Sequence, residues 1–300
     1  MFRQLRLILE MIRFSHTLFA LPFAMMSALL AWQIKGTFQW LELAGILVCM
    51  ATARSAAMAF NRLADRKIDA DNPRTAVRHL PKGLLSVTGV WVFTVVCSLL
   101  FVAATGLFLL CQPSNPWPIV LAVPVLLFIC AYSYTKRFTS LAHFWLGASL
   151  LMAPMSAWIA VLQFQDWLIP LLLGLSVMFW VAGFDIIYAC QDADFDKKAK
   201  LSSVPATFGV ANALRMALVC HILMICLLLL FTWLAWSQLG WVFLVGVLLV
   251  AVLLVYEHSL VSADDLSRVN RAFFNVNIIV SLGLFVMVAV QLALKSQLGW

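Results

Sequence analysis

The sequence predicts an all-α integral-membrane protein of nine transmembrane helices in a single bundle, with its N-terminus in the cytoplasm and its C-terminus outside. Three observations carry that expectation. Hydrophobic residues make up 64% of the 300 residues and charged residues only 11%, against roughly 25% in a soluble domain. Nine apolar stretches are each long enough to cross about 30 Å of hydrocarbon. The basic residues lie almost wholly on one side of those stretches, as the positive-inside rule requires of a cytoplasmic face.

The stretches fall at 14–34, 41–61, 85–111, 118–134, 140–163, 168–190, 212–237, 241–260 and 273–293. The first is too long for a simple cleavable signal and lacks a small-residue cleavage site, so it reads as a membrane helix. The fourth is short, and Pro116, Pro118 and Pro124 start and kink it. Of 20 Lys and Arg residues, only Lys35 and Lys295 fall on the outer side, which leaves 18 on the cytoplasmic side. The net charge of +7 is then a topology signal, and a nucleic-acid partner is not expected because no soluble basic surface carries the charge. The natural location is a bacterial inner membrane, with the polar chemistry facing the cytoplasm. Seven scattered cysteines form no C-x-x-C pair and read as packed free thiols.

Within a single polytopic domain spanning 1–300, the chemistry-bearing residues concentrate in two Asp-rich cytoplasmic loops, 62–84 and 191–211. The first opens on Asn61-x3-Asp65-x3-Asp69 and the second on Asp185-x6-Asp192-x3-Asp196. Spacing of four places such residues on one helix face. Convergent oxygen donors suit a hard cation such as Mg2+, which takes few carboxylates and completes its shell with water and substrate phosphate. No His or Cys stands at a spacing that would suit zinc. One such motif alone is equally an ordinary helix end with local pairs such as Arg62–Asp65 and Arg66–Asp69. Two at matching positions on one membrane face point to a cation. Asn61 and Asp65 precede Asp192 and Asp196 by 131 residues each, and this weak repeat suggests two halves of one site.

Cations accompany the acids. Arg54 lies seven residues before Asn61, two turns deeper on the same helix face, and an intramembrane arginine is a functional candidate by default. Arg74, Arg78 and Lys82 follow in a Pro-containing loop, suited to phosphate oxygens. Tyr132-x3-Lys136 sets a phenol and an ammonium on one face. Asp185 and Tyr188 lie one to two turns deeper than Asp192, and an acid at that depth needs a partner, for which Arg54 is a candidate. Arg13, with Ser15 and His16, opens the first span. No nucleophile elbow, Walker loop or dinucleotide fingerprint is present.

The stretch from Arg54 through Asn61, Asp65 and Asp69, continued by Arg74-Thr75-Ala76 and Leu80-Pro81-Lys82-Gly83, closely resembles the first motif of the UbiA family of intramembrane aromatic prenyltransferases. Asp185 to Asp196 resembles its second motif, and Tyr132-x3-Lys136 a third between them. The resemblance implies that Asn61, Asp65, Asp69, Asp192 and Asp196 hold Mg2+ and the diphosphate of an allylic polyprenyl donor. It implies that Arg78, Lys136 and Tyr132 contact the diphosphate, with Arg74 beside them. Arg54 and Arg13 then lie near an aromatic acid acceptor, with Asp185 and Tyr188 on the pocket side. One departure stands out: Asn61 is followed by Arg62 where many relatives carry an acid. The first-helix stretch Phe14–Ala24 is similar to the 4-hydroxybenzoate prenyltransferase-like subgroup, some of which takes a naphthoate. The implied reaction is electrophilic prenylation of a hydroxylated aromatic acid in ubiquinone or menaquinone formation. A dihydroxynaphthoate acceptor, and outside the family a secondary transporter, stand as alternatives.

Overall fold

The computed structural model describes residues 2–12, 20–266, 268–269 and 276–298. Among these the regular structure is helical throughout: α1 (Phe2–Met11), α2 (Leu21–Lys35), α3 (Trp40–Asp71), α4 (Val87–Thr105), α5 (Trp117–Thr135), α6 (Ala142–Leu162), α7 (Leu168–Ala189), α8 (Ala193–Lys198), α9 (Val204–Phe208), α10 (Val210–Leu234), α11 (Trp236–Ser259) and α12 (Asn277–Leu298). Short 3-10 turns lie at Gly106–Leu110 and Cys190–Asp192. Eight helical segments among the described residues are long and apolar enough to cross a bilayer, and the chain is a multi-pass membrane protein. The first expected span, 14–34, is described only from Ala20 onward. The helices sort into two compact units, one comprising Met1–Thr17 and Gln39–Tyr134, the other Leu18–Phe38 and Thr135–Trp300.

The first unit is built on α3, whose 32 residues span about 48 Å at 1.5 Å per residue. That exceeds the hydrocarbon thickness of about 30 Å, so roughly its last third projects beyond the apolar layer. The sequence placed the end of this helix near residue 61 and read 62–84 as a loop. The helix instead continues to Asp71, because Arg62 to Lys67 are mostly good helix formers and the first breaker is Pro73. Asn72, restricted by that proline, turns extended at φ −89° and ψ 117°. Helix α4 packs along α3, starting at Ser86, whose hydroxyl accepts the Gly89 N–H at 3.0 Å. Helix α1 was not expected, being too short and too charged to read as a span. Its Leu7 and Ile8, with Met11 and Ile12, pack against Ala59, Leu63, Leu85 and Val90. On its exposed side, the Arg6 guanidinium hydrogen-bonds Glu10 at 2.9 Å and holds that carboxyl below its ordinary range.

In the second unit α2 packs on α6, α6 on α7, α7 on α10, α10 on α11, α11 on α12, and α12 returns to α2, so six helices close a ring. Trp180 lies fully buried within it, with Phe23 and Phe184 at centroid distances of 5.2 and 5.0 Å. Its indole N–H donates to Asn277 Oδ1 at 2.8 Å, satisfying the one polar atom of a buried tryptophan. Close helix approach rests on small residues: a Cβ at Gly147 would strike the Met178 carbonyl, and one at Gly183 the His221 ring. Pro154 interrupts α6, and the Ser27 hydroxyl of α2 donates to its carbonyl at 2.7 Å. Gly240 (φ 52°, ψ −158°) breaks α11 near its start, one residue before the expected span 241–260 begins.

Candidate active site

The first acidic motif rides on the projecting end of α3. Spacing of four puts Asn61, Asp65 and Asp69 on one face, and that face is turned inward: Asp65 and Asp69 are each 4% exposed, whereas Arg66 and Lys67 are exposed. A solvated helix end would bury neither acid. The Asn61 amide donates to Asp65 Oδ2 at 3.3 Å and to Ser133 Oγ at 3.4 Å, fixing both side chains. Arg78 Nη1 donates to both oxygens of Asp69, at 2.7 and 2.8 Å. Arg62 reaches the same carboxylate at 3.9 Å. The Thr75 hydroxyl donates to the Asp69 carbonyl at 3.0 Å, so the 72–84 loop folds back on the helix end. In the ordinary helix-end alternative, Arg66 would pair with Asp69. Instead Arg66 donates to the Leu63 carbonyl at 3.0 Å, because the loop delivers Arg78 to the inward side while Arg66 lies on the outward one.

The other expected residues of this unit fall around the motif. Arg54 sits two turns before Asn61 on α3, half-buried, and makes no ion pair among the described residues. Arg74 follows the helix end, its N–H bonded to Asn72 Oδ1 at 2.9 Å, and is exposed to solvent. Tyr132 lies in the last turn of α5, half-buried. Arg13 falls outside the described residues, as do Ser15 and His16.

The second motif does not repeat the first. Helix α7 ends at Ala189, a 3-10 turn covers Cys190–Asp192, and α8 begins at Ala193. Asp192 is the residue before α8, with φ −104° and ψ 4°, so Asp192 and Asp196 do not share one continuous helix face. They remain within electrostatic range of each other. Ser203 hydrogen-bonds Asp196, and Lys136 and His143 lie within electrostatic range of the same carboxylate. Two backbone bonds stitch these segments together: Ser202 N–H to the Lys136 carbonyl at 2.7 Å and Leu201 N–H to the Asp196 carbonyl at 2.8 Å. Tyr188 packs half-buried against the core cluster that includes Ile187, Val204 and Ala217. Asp185 has a partner that was not foreseen: His143, at the start of α6, holds Asp185 Oδ2 at 2.7 Å through Nδ1. Arg54, the candidate suggested by depth, is replaced in that role by a histidine 42 residues earlier in the chain.

The donor set fits magnesium. Asn61, Asp65, Asp192 and Asp196 offer oxygen atoms only, the preference of a hard cation. Asp69 has oxygens too, but serves a metal only by giving up Arg78. Among the described residues no three His, Cys, Asp or Glu side chains gather into a ready-made metal cage. Mg2+ sites characteristically combine one or two carboxylates with substrate phosphates and water.

The model of the UbiA prenyltransferase family matches residues 20–279. A 4-hydroxybenzoate octaprenyltransferase from Nitrosomonas eutropha is 36% identical over 174 residues, and that match spans 56% of each chain. A 4-hydroxybenzoate octaprenyltransferase from Vibrio vulnificus is 28% identical over 256 residues, covering 84% of this chain and 86% of the relative. Among solved structures, a UbiA homologue from Aeropyrum pernix K1 superposes with a TM-score of 0.81 at 29% identity, covering 94% of this chain and 98% of that one. A UbiA homologue from Archaeoglobus fulgidus bound to DMAPP and Mg2+ shares the fold at a TM-score of 0.68 and 17% identity, covering 95% and 99% of the two chains.

Proposed function

This chain belongs to the UbiA prenyltransferase family and is a membrane prenyltransferase, and from that premise we propose that it transfers a polyprenyl group from an allylic polyprenyl diphosphate to a 4-hydroxybenzoate-like aromatic acid in quinone biosynthesis. The observation that carries the proposal is the inward-turned Asn61–Asp65–Asp69 face with Arg78 folded onto it. It sets oxygen donors for a hard cation beside a guanidinium suited to phosphate. Relatives named for 4-hydroxybenzoate support the acceptor class. Membership in an enzyme family sets aside the transporter alternative.

Asn61, Asp65, Asp192 and Asp196 would hold Mg2+, which supplies charge neutralisation to the leaving diphosphate, with Asp69 completing the first motif as the anchor of Arg78. Arg74, Arg78, Tyr132 and Lys136 bind the diphosphate oxygens and orient the donor. The allylic C–O bond breaks as negative charge grows on the departing diphosphate, which these fixed cations stabilise. Aromatic side chains shield the resulting allylic cation from water and offer their ring faces to it. Arg54, a half-buried arginine with no ion pair among the described residues, takes the carboxylate of the acceptor, together with Arg13; Asp185 and Tyr188 lie on the acceptor side. The ring carbon beside the hydroxyl forms the new C–C bond and then loses its proton to water or to the departing diphosphate. The hydrophobic product leaves into the bilayer, with chemistry at the cytoplasmic face of the inner membrane.

The test is a membrane assay with Mg2+, a polyprenyl diphosphate and a panel of aromatic acids, run on the wild type and on Asp65→Asn and Asp192→Asn. Wild-type transfer to 4-hydroxybenzoate, lost by at least about 100-fold in either variant, is the expected result. Undiminished transfer in the variants would sink the site assignment. Exclusive use of a dihydroxynaphthoate would move the acceptor to the menaquinone-type alternative.

A further inference from the structure

We infer that His143 is a positioning residue: it locks the orientation of Asp185 toward the aromatic acceptor, and it is held in place by the turn that carries Ser203. This rests on the reading of Asp185 as an acceptor-side residue. His143 is 4% exposed, and both of its ring nitrogens are committed. Nε2 receives the Val204 N–H at 3.3 Å. A backbone N–H only donates, so Nε2 carries the lone pair and the proton resides on Nδ1. Nδ1–H therefore donates to Asp185 Oδ2, at 2.7 Å, the short distance of a bond to a charged acceptor.

The consequence is directional. Asp185 stands half-exposed on α7, with its Oδ2 fixed by His143, and its second oxygen is left to accept a hydrogen bond from the hydroxyl of the acceptor. A phenol hydrogen-bonded to a carboxylate is more electron-rich at the neighbouring ring carbon, which is the carbon that attacks. A freely rotating Asp185 would make that contact only part of the time. The other end of the histidine is equally specific. Val204 follows Ser203, which hydrogen-bonds Asp196, so one imidazole spans the acceptor-side carboxylate and the turn that steadies the second acidic motif. A histidine of fixed tautomer thus orients the carboxylate that meets the substrate.

The experiment compares wild type, His143→Phe, His143→Gln, Asp185→Asn and the double variant His143→Phe/Asp185→Asn in native membranes, with steady-state kinetics for both substrates. Phe keeps the ring volume and removes both nitrogens. Gln offers one donor and one acceptor at a separation close to that of the imidazole nitrogens. His143→Phe is expected to raise the KM for 4-hydroxybenzoate and lower kcat/KM by about 10-fold or more, while the KM for polyprenyl diphosphate moves less than about twofold. His143→Gln recovers most of the loss, and the double variant is no worse than Asp185→Asn alone. The inference is overturned if His143→Phe leaves the acceptor KM unchanged, if the two single losses multiply in the double variant, or if Gln rescues nothing while Asp185→Asn remains folded and active. A wild type that prenylates no aromatic acid defeats the functional reading instead, so the two failures are distinguishable.

Discussion

Replacing Arg78 with alanine separates what the Asp69–Arg78 pair does for the fold from what Arg78 does for the substrate. The pair closes the 72–84 loop onto α3 through contacts of 2.7 and 2.8 Å to a carboxylate whose side chain is only 6% exposed. A hydrogen bond to a charged group contributes about 1.5–3 kcal/mol net, and its loss strands a largely buried acid. Breaking a fully buried pair costs about 3–5 kcal/mol. Arg62, at 3.9 Å, tempers that cost: at an effective dielectric of 20 its gross attraction to Asp69 is about 4 kcal/mol, and it stays beside the carboxylate when Arg78 is gone. The expected local loss is therefore about 2 kcal/mol, near the lower end of the charged-bond range.

Two readouts then diverge. In detergent micelles, the thermal midpoint followed by tryptophan fluorescence falls in Arg78→Ala and recovers in Arg78→Ala/Asp69→Asn, because the second change removes the stranded charge. In the transfer assay the KM for polyprenyl diphosphate rises in Arg78→Ala by about 10-fold or more, the weight of a lost charge-assisted bond. It does not recover in the double variant. Recovery of both readouts would show Arg78 to be structural only. No change in either would refute the derivation from the ion pair.

Two other predictions bear on the metal and on the fold. Dialysis against EDTA should abolish transfer, Mg2+ should restore it and Zn2+ should not, since the candidate donors are all oxygens; full turnover in metal-depleted membranes would remove the acidic motifs from the reaction. Gly147→Ala should destabilise the α6–α7 contact by about 1–3 kcal/mol, because its Cβ meets the Met178 backbone carbonyl rather than a movable side chain; an unchanged thermal midpoint would show that the helices part without cost.

Much of the fold was legible in the sequence because lipid imposes one strong rule, that apolar runs of sufficient length become helices. The spans 118–134, 140–163 and 168–190 correspond to α5, α6 and α7 within two residues at each end. The rule weakens where the chain leaves the hydrocarbon. Hydropathy ended α3 near residue 61, yet hydrogen bonding and propensity carry it to Asp71. Equal spacing suggested that Asp192 and Asp196 copy Asn61 and Asp65, but spacing does not report the 3-10 turn that ends on Asp192 and leaves it outside α8. Helix α1 escaped because its apolar face needs only the ends of α3 and α4 as a partner. His143 was illegible for another reason: it is a lone histidine in an apolar run, 42 residues from Asp185, and only tertiary packing shows what it touches.

Arg62 acquires a meaning that the motif alone did not give it. As a departure from an acidic position it reads as one ligand fewer. In the structure it is the second cation on Asp69, so around that carboxylate two guanidinium groups face one negative charge. The surplus is positive, which favours phosphate oxygens and disfavours a divalent cation at Asp69. The metal role proposed for the first motif then rests on Asn61 and Asp65, while in the second motif Asp192 and Asp196 lie in each other's field. Arg62→Asp should reverse the balance: Mg2+ half-saturation should fall while the KM for polyprenyl diphosphate rises. Exchanging a cation for an anion about 4 Å from a partly screened site changes the gross interaction by roughly 8 kcal/mol at a dielectric of 20, far more than survives as a net effect. A shift of about 10-fold in each quantity, in opposite directions, is the scale expected after desolvation and rearrangement take their share. Movement of both in the same direction, or of neither, would mean that Arg62 acts on the packing of α3 and not on the charge of the site.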